Sequence, residues 1–434
     1  MKTIPSEKAR QEIQEIAAVG SNGHNSFNSY PTKKKKWPQD IEQEAFHGLA
    51  GEVVNTILPH TEADPAALLL NFLVAFSSAI GRNPHYVVSG AKNFLNLYGV
   101  IVGNTSMARK GVSWGTLKEI FKAHSTDWQT NNLVSGLSSG EGLIYRVRDP
   151  LEADLGVSDK RLLVVEAEFS RVLKAMNREG NILSVIIREA YDSGELNTLT
   201  RNSPAKATGA SISIIGHITI PELLRNLKET ELANGFANRF LWMVVKRSKS
   251  LPEGGNFSPS EIQRLAERLK DAVTYAQTVE EMKRDDETKE IWSKVYDDLG
   301  NDKPGMYGTI VSRGQAQVAR LSCLYALLDQ SAIIKIEHLN AALAFWERAE
   351  ASVRYIFGMR TGDPVADDIL SALESRGELD QTGINELFGR NKRADSIELA
   401  LSNLKGYGLI TFRKEETGGR PRQLWALSSG HGTN

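Results

Sequence analysis

A single cysteine in 434 residues, Cys323, excludes an internal disulfide, and no Cys/His set has zinc spacing. Cys323 sits in an apolar helical stretch, where a small buried hydrophobe is the expected role. No apolar run is long enough to cross a bilayer. The most apolar segment, 66–80, is interrupted by Asn71, Ser77 and Ser78 and reads as a buried helix. Lys2, Glu7, Lys8 and Arg10 break up any leader-like stretch at the start, so a cytoplasmic protein without a membrane partner is expected. Net charge is also lacking: a formal −1 gives no global field, so any nucleic-acid contact must come from local basic patches. No internal repeat is present.

What is there is an ordinary globular composition, 41% hydrophobic and 24% charged, over a length that suits two or three domains. Residues 1–36 have linker character, with polar residues at 21–26 and four lysines at 33–36. From 37 to 92 the pattern is helical, with a helix start at Asp64-Pro65. Between 93 and 250 apolar strands (95–102, 162–165, 211–215, 240–245) alternate with helices (114–123, 169–177, 221–228). That alternation predicts an α/β domain with a mostly parallel sheet. After the Pro/Gly-rich break at 252–255, residues 256–360 read as helical, most clearly at 315–328 and 338–357. Residues 363–430 read as three helices (364–375, 382–388, 394–407) and a hairpin (409–412, 423–427), the winged-helix pattern.

The most informative segment follows the first apolar strand and precedes a helix. It comprises Gly103, Asn104, Thr105, Ser106, Met107, Ala108, Arg109, Lys110, Gly111, Val112 and Ser113. Small residues there let backbone N–H groups converge on phosphate, and the helix offers its positive end to the same anion. Lys110 would reach the β and γ phosphates of ATP, and Ser113 or Thr105 would hold Mg²⁺. The spacing departs from G-x-x-x-x-G-K-[ST], since Gly111 stands where the hydroxyl residue is expected. A basic loop without a ligand is the alternative.

Companion residues strengthen the nucleotide reading. The strand at 162–165 ends in Glu166 and Glu168, one carboxylate for the metal side and one for the attacking water. Glu141 is a rival base, since RecA-like ATPases, which this order of elements resembles, place the catalytic glutamate after the second strand. His217 stands near a strand end, placed to sense the γ-phosphate, and Arg239 lies in a Gly/Asn-rich loop that suits an arginine finger given to a neighbouring subunit. Arg313 and Arg320 could form a second sensor, with ordinary surface arginines as the alternative.

These motifs resemble those of a family of plasmid and phage ATPases often found beside, or fused to, primase-polymerase domains. The segments that carry the resemblance are 103–115, GLSSGEG at 136–142, EAEF at 166–169, ASISIIGHIT at 210–219 and NGFANRF at 234–240, within 37–357. The resemblance implies a RecA-like fold, ATP binding and a helicase-like role in a replication module, with ring or filament assembly and the primase-polymerase on a separate chain. An ATPase subunit of a phage-defence system is another reading of the same motifs.

At the C-terminal end, Arg390, Lys392 and Arg393 precede the third helix, and Arg413, Lys414, Arg420 and Arg422 decorate the hairpin. Those are positions for phosphate contacts with DNA. Glu386, Asp395, Glu398, Glu415 and Glu416 are interleaved, which leaves a protein-binding winged helix as the alternative. A DNA-binding regulator with a structural nucleotide site is the rival to a motor.

Overall fold

A computed structural model of the chain describes residues 36–103, 110–151, 154–199, 205–303, 305–358, 360–389, 391–416 and 421–428. Its centre is an all-parallel sheet of five strands: β1 (Tyr98–Gly103), β2 (Leu133–Val134), β3 (Arg161–Glu166), β4 (Ser211–Thr219) and β5 (Phe240–Val244). They lie in the order β2-β3-β4-β1-β5. The expected α/β class and parallel sheet are therefore present. Buried residues fill β1 and β5 completely, as a sheet covered on both faces requires.

Two glycines show what covers each face. A methyl group on Gly99 would fall 2.9 Å from Leu70 Cδ1, on the helix α1 (Pro65–Ile80). On Gly216 it would fall 2.6 Å from Phe169 Cδ2, on the helix α3 (Phe169–Met176). Gly99 pairs with Ile215 and Val100 with Gly216, and paired residues of parallel strands share a face. So α1 covers one face and α3 the other. The long helix α2 (Lys110–His124) joins the first side, where Asn71 Nδ2 donates to Ser113 Oγ at 2.9 Å. The helix α4 (Leu183–Asp192), absent from the sequence reading, joins the second; Tyr98 donates its hydroxyl to Ile187 O at 3.0 Å.

The first helix follows from its sequence. Asp64 caps α1 by accepting from Ala66 N–H at 3.0 Å, and Pro65 has no N–H to lose there. One of its buried serines bridges to the sheet: Ser77 Oγ lies 3.0 Å from Ser213 Oγ and accepts from Leu97 N–H. That contact explains why β1 begins at Tyr98 and not at Leu95. Asn96 and Leu97 spend their polar groups on Ala190, Ile212 and Ser77. The two-residue β2 is too short to leave a sequence period, and the hairpins at 85–94 and 196–207 likewise went unread.

Residues 256–360 are helical, as expected. They include α5 (Pro259–Thr278), α6 (Gly314–Leu328) and α7 (Ile336–Phe357). The last of these seals the sheet edge, with the buried Arg348 donating to Val244 O at 2.7 Å. Beyond it, helices Pro364–Arg376, Gln381–Leu387 and Ala394–Gly406 and the hairpin Ile410–Glu415 with Arg422–Leu427 match the expected succession. One strand was missed: Glu378–Asp380 pairs antiparallel with 422–427 and completes a three-stranded sheet. This unit has its own apolar core, built on Ile369, Leu373, Ile384, Leu404 and Trp425.

The face contacts set different costs for two similar substitutions. Gly216→Ala should destabilise the protein by about 1–3 kcal/mol, because the Phe169 ring cannot yield in a packed layer. Gly99→Ala should cost less, since its new methyl meets only the flexible Leu70 and Val74 side chains. Urea denaturation of both variants checks the ordering, and equal losses would count against it.

Candidate functional site

At the carboxyl end of the sheet, Gly103 stands opposite Thr219. From there β1 hands the chain to α2 on one face, whereas β4 continues into the short helix Ile220–Asn226, which packs with α3 on the other. Adjacent parallel strands whose connections part in this way open a crevice at their carboxyl ends, the usual place for a ligand in such sheets. Residues 104–109, among them Asn104, Thr105, Ser106, Ala108 and Arg109, lie outside the described residues.

Lys110 opens α2 and is partly buried. Burial lowers its pKa, and the Glu222 carboxylate works against that. Nearby on β4, His217 is 4% exposed. Burial, and then the charge of Lys110, push its pKa down to about 4, so the imidazole is neutral near pH 7. Among the described residues its Nε2 has no hydrogen-bond partner. A buried ring nitrogen left unpaired is costly, which makes the position suited to a partner supplied by a ligand. With a fifteen-residue helix beginning beside it, this end of the crevice favours an anion.

Ser113 does not face that crevice. It is fully buried, accepts from Asn71 Nδ2 and donates to Lys110 O at 2.7 Å, which ties it into the α1–α2 contact. That hydroxyl, expected to hold a metal, is engaged inside the protein in this structure. Gly111 is exposed, and a side chain there would meet nothing within 4 Å.

Three carboxylates lie along the same edge of the sheet. Glu166 ends β3, is 6% exposed, and accepts from Leu137 N–H at 2.6 Å. Beside it is a cavity of about 390 Å³ lined by Ser135, Leu137, Ser138, Arg146 and Val164. Glu168 is exposed and makes no capping bond to α3. Glu141 is exposed in the first turn of the short helix Gly140–Tyr145, after β2. The structure thus brings Gly103, Lys110, His217, Glu166, Glu168 and Glu141 to one edge, β3 standing two strand spacings, roughly 10 Å, from β1.

Arg239 is elsewhere. It precedes Phe240, which pairs with Tyr98 at the start of β1, so it lies at the opposite, amino edge. The residue is 6% exposed, its Nη2 is 2.5 Å from Asp192 Oδ2, and its Nη1 donates to Gly235 O. Arg313 shares Asp192 at 3.1 Å. A guanidinium held this way is bound within its own chain, whereas the arginine-finger expectation needs it turned toward a neighbouring subunit. The positive φ of Gly235, +78°, turns its carbonyl back onto the arginine, a local fold that composition alone does not reveal. Arg320 is also no surface residue. It is 3% exposed, donates to Asn96 O and Tyr191 O, and lies over the Tyr191 ring.

On the C-terminal unit, Lys392 and Arg393 are exposed at the start of the third helix. Arg390 and Arg420 lie outside the described residues. Two of the hairpin cations have acidic partners: Arg413 with Glu378 at 2.8 Å, and Arg422 with Asp380 at 3.5 Å.

Two features lie outside the motifs considered so far. Glu222 closes a capping box with Thr219 and faces the charge of Lys110. The T-x-x-E spacing at 219–222 was the available signal. His47, Asp329 and His338 place ligand-type atoms within 4.8 Å of one another, and a separation of 282 residues between the first two hid them. Among the described residues no helix is long and apolar enough to cross a membrane. Searched against protein-family models and curated protein sequences, the chain matches none.

Two outcomes follow from these placements. Arg239→Ala should lower stability by about 1–3 kcal/mol with no nucleotide present, discounting the buried-pair cost for the partly exposed Asp192. Denaturant unfolding of the free protein checks it, and an unchanged midpoint would restore the arginine to the surface. For His217, a folded pKa of about 4 lies below the ordinary 6.5, so the unfolded chain binds the proton better. Stability should fall as pH drops from about 6.5 toward 4, and less steeply in His217→Gln. Melting curves across that range read the difference.

Proposed function

We propose that the chain is an ATP-binding P-loop protein of the RecA-like class that hydrolyses ATP and engages DNA through a C-terminal winged helix. One observation carries the nucleotide part: a buried, neutral His217 whose Nε2 has no partner among the described residues, beside Lys110 and the start of α2 at the crevice between β1 and β4. In this reading the loop 103–111 wraps the phosphates and Lys110 counters their charge. His217 donates from Nε2 to a terminal phosphate oxygen, which gives that nitrogen its missing partner. Mg²⁺, when bound, neutralises charge on the phosphates. Glu166 is the residue best placed to orient its water shell, and Thr105 replaces Ser113 as the hydroxyl candidate. Glu168, exposed and uncommitted to a cap, accepts the proton of the attacking water, with Glu141 as the alternative base.

The exposed Lys392 and Arg393 at a helix start are the DNA-facing cations of this reading. Assembly with other copies and a separate primase-polymerase, within a plasmid or phage replication module, complete the proposal. The buried Ser113 and Arg239 favour a second reading: a DNA-binding regulator whose nucleotide is bound and not turned over.

Fluorescent ATP-analogue binding and DNA-stimulated phosphate release separate the two. For an ATPase, Lys110→Ala should weaken binding by about tenfold or more. Glu168→Gln should keep binding and lose about 100-fold in turnover. Binding without turnover in the wild type would select the regulator. No nucleotide binding by the wild type would end both readings.

A further inference from the structure

Far from the crevice, three side chains from distant parts of the chain meet. His47 Nε2 lies 2.6 Å from Asp329 Oδ2, and His338 Nε2 lies 3.4 Å from the same oxygen. The two imidazoles meet edge to face with centroids 5.5 Å apart. His47 immediately precedes the helix Gly48–Ile57, Asp329 follows α6, and His338 is in the first turn of α7. Gly48 makes the approach feasible: its φ is +57°, and a side chain there would fall 2.3 Å from Asp329 Oδ1.

Two histidines and a carboxylate suggest a metal site, but the hydrogen bonds argue otherwise. Lys335 N–H donates to His338 Nδ1 at 3.0 Å, so Nδ1 is the acceptor and the ring proton is on Nε2. That Nε2–H points at Asp329. A metal-bound Nε2 would need its lone pair free and a proton on Nδ1, donating outward. The backbone of Lys335 occupies Nδ1 with the opposite polarity. The 2.6 Å separation of His47 and Asp329 is likewise that of a charge-assisted hydrogen bond; two ligands on one ion stand farther apart.

We infer that His47, Asp329 and His338 form a clasp held by protons rather than a metal, which fastens the start of the Gly48–Ile57 helix to the α6–α7 turn and loosens in alkaline solution. The charges facing it come from each neighbouring element. Glu337 and His338 stand on α7, Lys335 just before it, Asp285 at the cap of Asp286–Gly300, and Tyr325 on α6. Tyr325 stays neutral, its hydroxyl buried and donating to Ala45 O at 2.6 Å. The hydrogen bond to Asp329 raises the His47 pKa against the opposing effect of burial. Burial alone would raise Asp329, but hydrogen bonds from His338 and His47 hold it well below the usual carboxylate range. Because the folded His47 pKa lies above its unfolded value, its contribution is complete below about 6.5 and is lost as pH rises through the raised value. Asp329 stays ionised throughout that window.

The test uses the full chain. Long-range ¹H–¹⁵N spectra should show His338 protonated at Nε2. Melting curves from pH 6 to 9 should place His47→Gln roughly 2 °C below wild type at pH 6, with the gap closing toward pH 9. Asp329→Asn, which keeps the shape and removes the charge, should show the same convergence and guards against a folding defect in the first variant. Titration with Zn²⁺ alone should give no stoichiometric binding that either substitution removes. A gap that is constant with pH, a proton on Nδ1 of His338, or one-to-one Zn²⁺ binding lost in Asp329→Asn would each overturn the clasp.

Discussion

A parallel strand must hand its chain to one face of the sheet or the other, and the pairing of β1 with β4 joins two strands that choose differently. The crevice between their carboxyl ends exists because α2 departs toward α1 while Ile220–Asn226 departs toward α3. The rest of the site is a consequence of that parting. It points the start of α2 at a gap, it buries His217 beside the gap with no partner for Nε2 among the described residues, and it sets the acids of β3 on the far side of β4. Gly99 and Gly216 matter here because the covering helices pack against the backbone at those points, which fixes the strands against both layers.

Much of this was legible in the chain because it is periodic or apolar. Short continuous apolar runs such as 162–165 read as buried strands, and Asp64-Pro65 reads as a helix start. Placing Lys110, Glu166 and Glu168 on one edge needed only that the strands be parallel. What escaped was set by contacts across long separations. The two-residue β2 has no period to detect, and the strand order depends on packing that no local pattern encodes.

The arginines and Ser113 are the sharper lesson. Arg239 and Arg320 look like catalytic or surface groups in a linear reading, yet each is buried with carbonyl or carboxylate acceptors, as is Arg348. A guanidinium has five donors and can satisfy several backbone oxygens at once, so it serves where loops and strand ends leave carbonyls unpaired. Ser113 shows the same ambiguity in a smaller group. A hydroxyl one turn into a helix can face a phosphate or back-bond to the preceding turn, and here it back-bonds.

The closure of the sheet has a consequence for how copies of this chain could join. One border, β5, has α7 laid along it, with Arg348 occupying a terminal carbonyl. The other, β2, offers only two residues, too few to template a new strand. Lateral growth of the central sheet from one molecule into the next is thereby closed off. Contact between copies must be made by helices, by loops or by the hairpins that project from the main layers.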